Sequence, residues 1–319
     1  MRRRTLLLGS MALATLGGTG LTWGAYARDL AAARIRTRGR SHIADGRFGA
    51  LEYAEDGQGI PVLMIHGTGG GFDQGIDMAR PLTRYGFRLI APSRFGYLRS
   101  TYPADPSPEN QADAFVDLLD HLSISRAHMI GGSAGALSAI EFAIRHPDRC
   151  SSLVALVPAA HAPGRPPVDP PTPLAKAIIE YSLRSDFLFW TGLQLDEDAM
   201  ISSLLATDPG LVHRASEAER ARVRSILWNI LPVSDRAQRL LNDARLAYTP
   251  APMPLERITA PTLALSFEDD KFQTVAAARH IAASVKNGKL AVFRQGGHIW
   301  VGQEPNVFNT IAAFLKSIT

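Results

Sequence analysis

The chain has 319 residues, 46% hydrophobic and 20% charged, enough for one large domain or two modest ones around a substantial core. Its formal charge of +4 sits at the start: residues 1–40 hold eight arginines against Asp29, and the remaining 26 basic and 29 acidic side chains leave a mildly acidic body with no charge-based reason to bind nucleic acid. The one cysteine, Cys150, excludes an internal disulfide and a cysteine metal cluster.

In chain order, Met1-Arg2-Arg3-Arg4 precedes an uncharged stretch from Thr5 to Ala27, the pattern of a basic region followed by an apolar one. Arg3-Arg4-Thr5-Leu6-Leu7 resembles a bacterial twin-arginine signal, and Ala25-Tyr26-Ala27 has the small-x-small form of a cleavage site. The stretch is also long enough to span a bilayer, which needs about 20 residues. Two expectations follow: export to the periplasm or the outside, or anchoring to the cytoplasmic membrane through residues 5–27. Residues 1–40 are read as this signal or anchor plus a basic linker, outside the fold.

Beyond it, Gly49-Ala50-Leu51-Glu52-Tyr53 reads as an edge strand. Buried strands are predicted at Pro61–Ile65, Arg88–Ala91, Ala127–Ile130, Leu153–Val157, Thr262–Leu265 and Leu290–Phe293, because continuous apolar runs suit a sheet covered on both faces. Helical patterns fall at Asn110–Leu122, Ala136–Arg145, Thr274–Val285 and Val307–Ile318. The alternation predicts a doubly wound α/β sheet. It breaks between Pro158 and Arg257. There a connector with seven prolines in sixteen residues leads into helical patterns, with a capping box at Ser216-Glu217-Ala218-Glu219 and a second cap at Ser234. So much helix is too long for a connection. Residues 159–257 are read as a helical cap over a core of 41–158 and 258–319.

The chemistry centres on Ile130-Gly131-Gly132-Ser133-Ala134-Gly135-Ala136, a G-x-S-x-G pattern between a predicted strand and a predicted helix. Small residues there let the chain reverse tightly and leave a serine oxygen exposed. A phosphate loop is the competing reading, but the chain shows no G-x-x-x-x-G-K-[ST], and no acid is placed as in a dinucleotide fingerprint. A nucleophilic serine needs a base, a group to orient the base, and donors for an oxyanion. His298, carried off a strand end by Gly296-Gly297, is the candidate base. Asp270, with Asp269 second, is the candidate acid after the strand Thr262–Leu265. The loop His66-Gly67-Thr68-Gly69-Gly70-Gly71 supplies a candidate oxyanion donor, the N–H of Thr68 or Gly69, beside that of Ala134. His66 itself reads as a structural hydrogen-bonding histidine. Trp190, Trp228, Phe187 and His161 are candidate pocket residues, with cap core the competing reading for the aromatic three.

Together these residues, with Ala91-Pro92-Ser93-Arg94-Phe95-Gly96-Tyr97, resemble the capped serine-hydrolase branch of the α/β-hydrolase superfamily over residues 48–318. The resemblance implies an eight-stranded, mostly parallel sheet with a helical cap after the sixth strand. It also implies a Ser133–His298–Asp270 triad that needs no metal and no cofactor. Ser93 departs from the aspartate that many relatives carry, at a position that is structural. A serine nucleophile sets the chain apart from relatives that attack with aspartate, the haloalkane dehalogenases and epoxide hydrolases. The expected partner is a small-molecule ester or related acyl substrate, cleaved by a carboxylesterase through an acyl-enzyme. The alternatives are a C–C hydrolase of ring-fission diketones, an amidase, aminopeptidase or perhydrolase on the same triad, and a non-catalytic receptor that keeps the pocket.

Overall fold

The computed structural model describes residues 22–164, 172–248 and 250–318. Eight strands, β1 (His42–Gly46), β2 (Gly49–Asp56), β3 (Ile60–Ile65), β4 (Phe87–Pro92), β5 (Ala127–Gly132), β6 (Cys150–Leu156), β7 (Thr262–Phe267) and β8 (Gly288–Phe293), form one sheet in the order β1-β2-β4-β3-β5-β6-β7-β8. The pairs β1–β2 and β2–β4 are antiparallel and the other five are parallel. The apolar runs split by alternation. Leu63, Ile65, Met129, Leu153 and Ala155 enter one core, and Val62, Met64, Ile130, Val154 and Leu156 enter the other. With a buried face on each side, both alternating sets are apolar through the middle of each strand, and a continuous run results.

The described helices are α1 (22–37), α2 (Phe72–Ala79), α3 (Pro108–His121), α4 (Gly135–Arg145), the cap helices α5 (Pro173–Arg184), α6 (Asp186–Leu195), α7 (Glu197–Leu204), α8 (Pro209–Arg214), α9 (Glu217–Trp228) and α10 (Ala237–Tyr248), then α11 (Thr274–Ser284) and α12 (Glu304–Lys316). Phe115 and Leu118 of α3, Ile140 and Phe142 of α4 and Ile281 of α11 cover one face of the sheet. Phe72 and Ile76 of α2 and Val307, Phe308 and Ile311 of α12 cover the other. The cap lies between β6 and β7 and has its own cluster, built on Leu193, Val223, Leu227 and Val233. That cluster also takes in Tyr97, Ile299 and Val301 from the sheet side, which seats the cap on the sheet's C-terminal edge. Ser216 caps α9 as predicted, its hydroxyl accepting from the Glu219 N–H at 3.3 Å. Ser234 does not cap α10. Its N–H and hydroxyl both bond Asp186, at 2.9 and 2.8 Å, and so tie the α10 approach to α6.

Three local expectations differ. The strand β1 carries one buried apolar side chain, Ala44, so it has almost no hydrophobic signal and pairs through its hairpin with β2. The helix α2 follows three glycines and contains Gly75, where a Cβ would lie 2.8 Å from the Ala91 Cβ; close packing on β4 overrides helix propensity there. The third difference concerns the N-terminal segment. Most of the stretch 5–27 lies outside the described residues, but 22–27 opens α1, which is not a linker. Among the described residues no helix is long and apolar enough to cross a membrane. The expectation of membrane anchoring is corrected on that finding for residues 22–27, which open α1; the rest of the stretch 5–27, and the export signal read there, lie outside the described residues. The described part of the segment packs on the cap instead: Ala33 joins the cap cluster, and Asp29 accepts from the Trp190 indole N–H at 3.0 Å.

Candidate active site

The strands β5, β6, β7 and β8 run parallel, so the loops that follow them share one edge of the sheet. Ser133 stands directly after β5, half-buried, at φ +50°. A left-handed serine is costly and persists only when its surroundings fix it. Here β6 does so. The Ser133 N–H donates to Leu156 O at 2.9 Å, and its carbonyl accepts from Ala136 at 3.0 Å and Ala159 at 3.1 Å. Val157, between those partners, is itself at φ +42°. The flanking glycines are required by space. A Cβ on Gly131 would lie 2.6 Å from the Ala136 Cα, and one on Gly135 would lie 2.4 Å from Ile65 O. The turn thus presses α4 against the end of β3, and a Cβ built on Gly67 of the next loop would come within 3.1 Å of the Ser133 Cβ.

His298 and Asp270 meet at the same edge, with 2.8 Å between Nδ1 and a carboxylate oxygen. Asp270 is buried, and it also accepts from the Thr274 hydroxyl and, at 2.8 Å, from the Phe272 N–H. Burial alone raises a carboxyl pKa. The charge and hydrogen bond of His298, with the other two donors, outweigh it and hold Asp270 below the ordinary carboxylate range. Asp269 acts on the backbone instead, accepting the N–H groups of Gly296 and Gly297 at 3.1 and 2.9 Å, which fixes the loop bearing His298. The Phe272 ring stands edge-on to the imidazole at 5.0 Å.

The glycine-rich loop is tied down from several sides. His66 is fully buried and bridges it: Nδ1 lies 2.7 Å from Gly67 O, and Nε2 accepts the Arg94 N–H at 2.9 Å. Burial, with Arg94 beside it, pushes its pKa well down, so His66 is a neutral structural group. The Gly67 N–H donates to Gln74 at 3.1 Å and the Gly69 N–H to the Tyr97 hydroxyl at 3.1 Å. Gly69 is therefore committed. Among the described residues no hydrogen bond is recorded for the N–H of Thr68 or of Ala134, the other two candidate donors. Ser93 fills the structural role anticipated for it, its hydroxyl accepting from Phe72 N and donating to Glu52, both at 3.0 Å.

The four candidate pocket residues are not gathered around Ser133 by any recorded contact. Trp190 and Phe187 pack against Tyr26 of α1, Trp228 lies under the Arg224 guanidinium, and His161 faces His280. Sequence reasoning missed Thr207, at the α7–α8 junction. Its buried hydroxyl accepts the His298 N–H at 3.1 Å and donates to Leu205 O at 2.7 Å, and a Cβ on Gly297 would strike it at 2.6 Å. It also missed Asp243, buried on α10, which accepts from Arg94 at 3.2 Å and from the Tyr97 hydroxyl at 2.7 Å and pairs with Arg239 at 3.0 Å. Arg94 and Tyr97 stand out in the sequence as a motif, but their acid partner lies nearly 150 residues away with no local signal.

An edge built this way suits attack by a serine hydroxyl assisted by a histidine–carboxylate pair, and it places the protein among enzymes of the serine-hydrolase type. Comparison with known proteins gives the family: the alpha/beta hydrolase fold family matches residues 60–305, and the chain belongs to it. It is 28% identical to the uncharacterized hydrolase YcgS of Bacillus subtilis, over 84% of this chain and 96% of that one. It is 29% identical to 2-hydroxy-6-oxononadienedioate/2-hydroxy-6-oxononatrienedioate hydrolase 2 of Pseudomonas putida, over 80% and 88%. Six further relatives, 25–37% identical, bear names of the same kind, such as the 2-hydroxy-6-oxo-6-phenylhexa-2,4-dienoate hydrolase of Comamonas testosteroni. Among solved structures, an alpha/beta hydrolase fold protein from Nakamurella multipartita superposes with a TM-score of 0.68 at 26% identity, over 86% of this chain and 99% of that one. The curated relatives whose names state a substrate are named for ring-fission dienoates and semialdehydes, and the expectation of a simple ester as partner is corrected on that finding.

Proposed function

We propose that the protein hydrolyses the C–C bond beside the ketone of a 2-hydroxy-6-oxo-dienoate, with Ser133, His298 and Asp270 as its triad. The observation that carries the substrate class is the run of relatives named for such compounds, one of them aligned over 80% of the chain. The geometry supports the chemistry. In its diketo form such a substrate has a CH2 between the C6 ketone and a double bond conjugated to the C2 ketone. The Ser133 Oγ adds to C6 and its proton passes to His298, whose charged form Asp270 stabilises. The C6 oxyanion takes the N–H groups of Thr68 and Ala134. The C5–C6 bond then breaks. Its electron pair is delocalised through the double bond onto the C2 oxygen, which takes up a proton as His298 returns to its neutral form, leaving a hydroxydienoate and an acyl-Ser133. Water, deprotonated by His298, releases the acid.

The test is incubation with 2-hydroxy-6-oxo-6-phenylhexa-2,4-dienoate beside a p-nitrophenyl ester series, for the wild type and Ser133→Ala. Loss of the dienoate absorbance with release of benzoate, abolished in Ser133→Ala, is the expected result. An intact dienoate alongside rapid ester turnover refutes the proposal.

A further inference from the structure

We infer that Arg36, in the helix that precedes the hydrolase fold, is a positioning residue for the glycine-rich loop, a role that rests on the function proposed above for that loop. Arg36 pairs with Asp73, and its other guanidinium nitrogen donates to Asn229 O at 3.1 Å and to Leu231 O at the end of the α9 region. Asp73, buried at the start of α2, also accepts from Arg236, at 2.8 Å on the oxygen that Arg36 uses and at 3.3 Å on the other. Arg236 is wholly buried and donates to Gly70 O. A row of three charges thus runs from α1 through the core domain to the cap and ends on a carbonyl two residues past Thr68. The row, with Leu98, fills the space beside Gly71: a Cβ there would lie 2.5 Å from the Leu98 Cδ1 and 2.9 Å from both the Arg236 guanidinium and the Asp73 carboxylate. A second tie runs in parallel, since Arg34 lies 3.9 Å from Asp186, the residue that holds Ser234 two places before Arg236.

The buried Arg236 and the half-buried Arg36 share one carboxylate in this row, and Arg36 alone of the three belongs to neither the cap nor the sheet domain. Its two carbonyl contacts fix the 229–231 turn, and its charge competes with Arg236 for Asp73. Without it, Asp73 turns wholly to Arg236, the guanidinium leaves Gly70 O, and the loop that aims the Thr68 N–H loses a tether. The loss is felt where an oxyanion forms rather than where substrate first binds, so kcat falls and KM does not.

The test uses the full chain with Arg36→Met, Arg36→Lys and, as a control on the same helix, Arg28→Met, an exposed arginine paired with the adjacent Asp29. Each is assayed for dienoate turnover, for melting temperature and for affinity towards phenylboronic acid, which adds to a reactive serine as a tetrahedral anion. Arg36→Met is expected to lower kcat and boronate affinity together by about tenfold, with KM within about twofold, because small misplacements of a donor are costly. Arg36→Lys, which keeps the charge, recovers most of the loss, and Arg28→Met changes nothing. A fall in melting temperature with kcat and boronate affinity intact overturns the inference, as does a rise in KM alone or a lysine variant no better than methionine. If wild-type protein binds boronate at Ser133 but leaves the dienoate intact, the proposed substrate fails, and the boronate affinities still decide the role of Arg36.

Discussion

Gly135→Ala isolates what the serine turn requires. A methyl group there meets main-chain atoms only, 2.4 Å from Ile65 O and 2.5 Å from His66 O. A carbon and an oxygen settle near 3.2 Å or beyond, so the start of α4 must retreat from β3 by about 0.8 Å. The strand cannot yield, because Ile65 is paired to β5 and fully buried. Ala134 and Ser133 therefore move away from the glycine-rich loop, and the gap between the Thr68 and Ala134 N–H groups opens. Overpacking of this kind costs about 1–3 kcal/mol of stability, offset by up to about 1 kcal/mol of helix propensity. A displacement near 1 Å at the reacting atoms costs about a hundredfold in rate, so activity falls further than stability. The assay is kcat on the dienoate, with the urea midpoint measured on the same preparation. Gly132→Ala is the contrast, since its methyl would meet nothing closer than Met64 Cε at 3.5 Å, and it is expected to retain its rate. A Gly135→Ala protein with kcat within about threefold of wild type refutes the reasoning.

Thr207→Val leaves the buried His298 N–H without an acceptor, at a cost of about 1–3 kcal/mol, while Thr207→Ser restores it; chemical denaturation of the pair distinguishes this from a simple packing loss. Asp243→Ala strips the carboxylate from between Arg94 and Arg239, all three side chains at most 3% exposed, and is expected to cost about 3–5 kcal/mol; a change below about 1 kcal/mol in stability from the denaturation midpoint contradicts it. Burial lowers the His128 pKa from 6.5 to about 4, with Arg126 contributing. The unfolded chain then binds a proton that the native state refuses, so stability is full above pH 6.5 and declines as the pH falls towards 4, by up to about 3 kcal/mol. His128→Gln should flatten that decline relative to wild type, and parallel curves for the two proteins exclude the effect.

The sheet was legible because each buried strand had apolar residues on both faces, as in Val62–Ile65 and Leu153–Leu156. The serine turn was legible because sterics at Gly131 and Gly135 leave a local signature. Asp269 and Asp270 could not be separated in sequence, since both follow β7 and both are used, one on the Gly296–Gly297 backbone and one on the imidazole. What escaped is what the chain joins across long separations. Thr207 lies 91 residues from His298, with nothing local to mark it. Arg36 looked like one of five arginines in a linker, and nothing near it in sequence announces Asp73 or Asn229. Trp190 invited a pocket reading because an indole in a cap suits an apolar wall, but its N–H is taken by Asp29 of α1.

The placement of α1 has a consequence for the order of events during synthesis. The helix leaves the ribosome well before its cap partners, since Asn229 follows Arg36 by 193 residues and Trp190 follows Asp29 by 161. At about 5–20 residues per second, α1 spends on the order of 10–40 s with its cap partners not yet translated. Throughout that interval Trp23 and Tyr26 lack the Phe187 and Trp190 rings on which they pack. The hydrolase core has time to assemble behind them, and a helix made before the sheet closes onto the molecule among the last of its parts.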